Sequence, residues 1–220
     1  MRKILLAAAM VLAVGVGQAS AAVLGFSFAS VGNAKISFDG AGGFTFTDAT
    51  LGDPGYDFEI GLQFGGPWPN GTALFGLLGN IGGNFTIGAI GSCGAGCQLA
   101  PVSGNGTFSV TDPSGVFTSA LQFVNVQTVG TGSTLNVQGT VNLTGFNYTG
   151  TNVDLAAFAS RPNGVVTVTF QFVPAVPLAD LKTAATETSY SGTAAVPEPA
   201  SMVLLGAGLL GLAGVARRRR

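Results

Sequence analysis

The chain has 220 residues and a mass of 21.9 kDa, enough for one domain with a sizeable core and short for two. Only 9% of the residues are charged, and six of the nine basic ones sit at the two ends. Between them Lys35, Arg161 and Lys182 face ten acidic residues, a net of −7. That balance argues against nucleic acid as a partner, since binding needs cations to neutralise phosphates. The absence of His removes the commonest general base and a common metal ligand.

Residues 1–21 read as a secretory signal peptide. Arg2 and Lys3 supply a positive start, residues 4–16 an apolar run of 13, and Ala19-Ser20-Ala21 a small-x-small cleavage site. The run is too short for an ordinary spanning helix. The Sec machinery and signal peptidase are the partners expected here, and Ala22 or Val23 the expected mature start.

From residue 22 to about 193 the pattern has period two. Segments 25–29, 36–38, 44–47, 56–64, 107–110, 121–126, 135–143 and 166–172 alternate apolar with polar residues, as half-buried strands do. Asp39-Gly40, Asp53-Pro54-Gly55, Asn70-Gly71, Asn105-Gly106, Asp112-Pro113-Ser114-Gly115 and Asn163-Gly164 supply turn chemistry. Some nine to eleven strands at this spacing predict an all-β domain, an antiparallel β-sandwich or a related Greek-key fold. Helix is expected only as one turn at residues 178–182. Residues 183–195, rich in Thr, Ser and Ala, suit a stalk, with a last strand at 188–193 as the alternative.

Four features of this domain bear on chemistry. Asp48, Asp53, Asp57 and Glu59 gather around a Pro-Gly turn. They suit a weak calcium site or a solvated acidic edge, and otherwise no cofactor is expected. Asp57 and Glu59 are spaced to share one strand face, a separation a glycosidase would tolerate. Without a motif around them, and without His, the chain reads as a non-enzyme. Trp68 stands alone between Pro67 and Pro69, either as a sugar-stacking platform of a carbohydrate-binding module or as a plug at the end of a core. Cys93 and Cys97 are the only cysteines of an exported chain, so a disulfide between them is expected. Five N-x-S/T sequons read as ordinary turn and sheet residues.

The last segment, 194–220, is the most specific. Pro197, Glu198 and Pro199 precede an apolar stretch at 201–216, which Arg217, Arg218, Arg219 and Arg220 stop. Sixteen helical residues reach about 24 Å, short of the roughly 30 Å hydrocarbon core. The positive-inside rule puts the arginines in the cytoplasm. Within the stretch, residues 206–211 match G-x-G-x-x-G but lack the strand and βαβ context of a dinucleotide site. The order of Pro-Glu-Pro, short transmembrane helix and arginine cluster closely resembles the PEP-CTERM sorting signal. That resemblance implies processing by an exosortase, an integral-membrane enzyme, in a Gram-negative-type bacterium that makes extracellular polymeric matrix. It implies an exported protein, transiently anchored in the inner membrane, then held at the cell surface or in the matrix, with exopolysaccharide as a candidate partner.

Overall fold

The computed structural model describes residues 23–71, 73–129 and 136–197. The expected signal peptide, the apolar stretch at 201–216 and the four terminal arginines lie outside them, as do Glu198 and Pro199. Among the described residues, no helix is long and apolar enough to cross a membrane.

Residues 23–196 form one compact unit. Eight strands make a ring: β1 (Val23–Ser30), β4 (Phe58–Gly65), β5 (Leu78–Gly83), β9 (Asn105–Asp112), β10 (Gly115–Val129), β11 (Asn136–Asn147), β12 (Asn163–Gln171) and β14 (Tyr190–Pro197). In space they run β1-β4-β5-β9-β10-β11-β12-β14, and β14 returns to β1. Neighbours are antiparallel throughout. The expected all-β antiparallel domain is present, but its strands close into a barrel where two stacked sheets were expected. Following paired residues once around, the path leaves β10 at Val116 and returns near Gln127. A stagger of about eleven residues over eight strands means steep tilt and a lumen that side chains can fill.

The connections at one rim, here called upper, carry all the other strands. These are β2 (Lys35–Asp39), β3 (Gly43–Thr47), β6 (Phe85–Ile87), β7 (Gly91–Gly94), β8 (Cys97–Ser103) and β13 (Ala185–Thr188). They build a second sheet ordered β8-β6-β3-β2-β13, with β7 paired to β8. This sheet joins the barrel through β10. The first half of β10 pairs with β9 and its last residues pair with β8. Inward residues shift from Phe117, Ser119, Leu121 and Phe123 to Val126 and Thr128, across a register break between Phe123 and Asn125. One extra residue bends the strand and resets its faces.

The lower rim carries the short β9–β10 turn, a loop at 66–77, and helix α1 (Val153–Ala159) between β11 and β12. Asn152 caps α1, its side-chain oxygen accepting from the N–H groups of Asp154 and Leu155. Leu155 and Phe158, one turn apart, are buried, so α1 closes this end of the barrel. The single turn expected at 178–182 is observed as α2 (Leu178–Leu181). No stalk forms at 183–195: β13 extends the second sheet, and β14 is a full member of the ring.

Aromatic side chains fill the interior in two groups. Near α1, Phe158 packs on Phe26 (5.1 Å between centroids), and Phe58 on Phe28 and Phe108. Under the second sheet, Phe44 and Phe85 pack on Phe123, and Phe46 on Tyr190 at 4.9 Å. Glycines leave room for these rings. A Cβ at Gly192 would collide with the Phe28 ring, and one at Gly79 with the Phe58 ring.

Two outcomes are expected. Gly192→Ala lowers the stability of the barrel by about 1–3 kcal/mol in urea denaturation, as overpacking does. Ser191→Ala, one residue away and facing out, changes it by less than about 0.5 kcal/mol. Equal effects at the two positions would overturn the packing account.

Candidate functional site

The structure separates the four acids that the sequence places together. Asp57 lies just before β4 and is 1% exposed. Its backbone N–H donates to Gly79 and its Oδ2 accepts from the Ile81 N–H at 2.6 Å. Glu59, two residues on, is exposed on the outer face. The shared face expected for Asp57 and Glu59 does not exist, because Asp57 precedes the strand and turns inward to Ile81. Asp48 is exposed but reaches the Asp57 carboxyl, and Asp53 lies in the turn between them. Among the described residues, no group of three or more acids and cysteines is placed to hold a metal ion.

Burial pushes the Asp57 carboxyl up to about 7, opposed by the Ile81 N–H and reinforced by Asp48. Among the described residues, its Oδ1 has no hydrogen-bond partner, and neither has the hydroxyl of buried Tyr190. Burial, with the charges of Asp57 and Asp48, pushes that hydroxyl up as well.

Trp68 is half-buried in the lower-rim loop. Its Nε1–H donates to the Phe64 carbonyl at 2.9 Å, and its ring lies parallel to that of Phe158, 6.4 Å away. This placement is that of a plug at the barrel end. Around it runs a network that sequence reasoning missed. Buried Asp154 accepts from Gln63 Nε2 and from the Asn70 N–H, while Gln63 Oε1 accepts from the Leu74 N–H. Tyr148 donates to Asp112 at 2.7 Å and accepts from the Asn152 N–H. Burial raises Asp112, but hydrogen bonds from Ser114, Tyr148 and Gly115 outweigh it and hold the carboxyl below its ordinary value. The available signal was Asn152-x-Asp154 before Leu155 and Phe158, a capped helix start.

Cys93 and Cys97 are disulfide-bonded across the β7–β8 hairpin. Every residue of β7 is exposed, so the bridge ties down a peripheral ribbon.

The sorting segment meets the barrel without a spacer. β14 pairs with β12 through Ala195, and Ala194 and Val196 are fully buried. Pro197 is the last residue of that strand. The alternating directions of the ring run β14 antiparallel to β1, with Tyr190 beside Ser30. Both ends of the barrel chain, Val23 and Val196, therefore leave at the lower rim.

Two measurements test these assignments. The Asp57 carboxyl has a raised value in the folded state, so between about pH 4 and 7 the folded chain binds more protons than the unfolded one. Stability then falls as pH rises through that window, by up to about 1.4 kcal/mol per pH unit, and levels off above it. Urea denaturation from pH 4 to 8 should show this slope in the native chain and its loss in Asp57→Asn; a native chain without the slope would exclude a proton on Asp57. Replacing both cysteines by serine should cost at most about 2 kcal/mol, since the closed loop is so short. A larger loss would mean that the hairpin supports the core.

No curated protein and no solved structure matched the chain. Residues 195–220 match the model of the PEP-CTERM protein-sorting motif. The chain thus carries a PEP-CTERM sorting signal at its C-terminus, the mark of an exported, envelope-associated protein processed by an exosortase.

Proposed function

We propose that this is a non-enzymatic protein of the cell surface or extracellular matrix of a Gram-negative-type bacterium. A signal peptide exports it, and the apolar tail holds it transiently in the inner membrane until an exosortase removes that tail. The observation that carries this reading is the junction of β14 with the matched motif. Scission at or beyond Pro197 keeps every strand of the ring. Scission upstream would remove part of a strand hydrogen-bonded on both sides. The barrel is thus suited to be released or attached as an intact body. A role without catalysis is supported by the separation of Asp57 from Glu59, the carboxylate pair whose sequence spacing suits glycoside hydrolysis.

Mass spectrometry of the mature protein tests the reading. In an exosortase-positive host the chain should begin at Ala22 or Val23 and lack Arg217, Arg218, Arg219 and Arg220, with its last residue at Pro197 or later. Deleting the exosortase, or changing Pro197 and Glu198 to Ala, should leave the tail in place. An intact tail in wild-type cells that extracts only with detergent would make the segment a permanent anchor.

A further inference from the structure

Fourteen of the 16 phenylalanines pack in the barrel or under the second sheet, and the remaining two, Phe64 and Phe75, lie on the outside. Phe64 covers Gly25 on the neighbouring strand. Phe75 covers nothing in this way and is 68% exposed, the one aromatic residue left open among those described. The backbone on either side of it is nevertheless tied to the barrel. Leu74 before it is fully buried, Leu77 donates to the Leu74 carbonyl, and Gly76 donates to Ile60 of β4 at 2.9 Å.

Phe75 stands at the edge of a groove of about 900 Å³ on the outer face of β4, β1, β14, β12 and β11. The floor is a lattice of neutral polar groups: Ser27, Thr167, Thr169, Ser191, Thr193 and Gln138. Thr167 pairs with Thr193, Thr169 with Ser191, and Gln138 with Thr169, so donors and acceptors recur at about 5 Å, the spacing of strands. Glu59 and Asp53 add carboxylates, and among the described residues no Lys or Arg lines the groove. Glu59 Oε1 lies close to Gly76, the residue that follows Phe75.

We propose that this groove binds a neutral polysaccharide. A pyranose chain presents apolar C–H faces and hydroxyl edges. Phe75 offers a flat apolar surface to the first, while the hydroxyl lattice and the two carboxylates offer hydrogen bonds to the second. The carboxylates repel a polyanionic glycan, and no cation among the described residues of the groove offsets them. The hydrogen-bonded sheet and the anchored turn at 74–77 lose little freedom on binding, which favours a weak but defined site repeated along a polymer.

The inference extends the proposed surface role and is tested apart from it. The full-length chain, in detergent micelles, is titrated with neutral hexasaccharides of glucose and mannose and with an alginate hexasaccharide, by calorimetry and saturation-transfer NMR. At least one neutral hexasaccharide should bind and alginate should not. Phe75→Ala and Glu59→Gln should each weaken binding by about tenfold or more. The double variant Thr169→Val, Thr193→Val, which preserves shape and strand preference, should weaken it similarly. Val173→Ala, outside the groove, should have no effect. Unchanged melting temperatures would assign the losses to contact with the glycan. No binding at millimolar glycan, or binding that survives every groove variant, overturns the proposal. So does a dimer in sedimentation that the same variants dissolve, which would make a second copy of the chain the occupant. A chain that is sorted and trimmed but binds no glycan sinks this inference alone. One that binds but keeps its tail sinks the proposed sorting route alone.

Discussion

The barrel has no open seam because its last strand, β14, pairs with its first, β1, across 160 residues of sequence. Bringing together two segments so far apart carries a loop-closure cost on the order of 4–5 kcal/mol. The ladders of β14 and the core residues Ala194 and Val196 offset it only once the ring is complete. Closure also removes the edge strands that the barrel sheet would otherwise offer to other chains, leaving β13 as an edge of the second sheet. The surface is poor in charge, so closure takes over part of the protection that Lys and Glu give to open sheets. The same seam places both ends of the barrel segment, Val23 and Val196, at the lower rim, and all the additional strands at the upper one.

Closure then sets the composition. An eight-stranded ring with this stagger has a lumen of fixed width, and large residues must alternate with small ones. The chain meets the limit with phenylalanines against glycines, as with Phe28 over Gly192 and Phe58 over Gly79. High Gly and Phe counts in one sequence are therefore one requirement seen from two sides. Inside such a filled barrel there is little room for a ligand, which directs recognition to the outer face.

Much of this was legible in the sequence. All eight alternating segments overlap observed strands, because period two reports one buried face whatever the architecture. The disulfide followed from compartment and count. What the sequence concealed was non-local. Alternation does not say whether a sheet closes, since that depends on the pairing of β1 with β14. Strand β5, LGNIGG, lacks β-branched runs and is held by its neighbours β9 and β4. The segment at 183–195 looked like a stalk because Thr, Ser and Ala suit a linker as well as the outer face of a ring strand. Asp57 looked like a surface acid because nothing local reveals the Ile81 N–H, 24 residues away.

The sharpest departure comes from one residue. Alternation through Phe58, Ile60, Leu62 and Phe64 predicts a single apolar face, yet Phe58 and Ile60 are buried and Leu62 is 64% exposed. The ladder explains it: Phe28 pairs with Ile60 and Ser27 with Leu62, so Gly61 is the unpaired residue of a bulge. Beyond it the faces exchange. Gln63 turns in, where it joins Asp154 and Leu74, and Phe64 turns out to cover Gly25. The Gln63 contact fixes the Leu74 end of the loop that displays Phe75. A straight strand would send Gln63 outward and bury Leu62 and Phe64, leaving Asp154 without its partner and the loop without its anchor. The outer groove and the closed lower rim are thus two consequences of one inserted glycine.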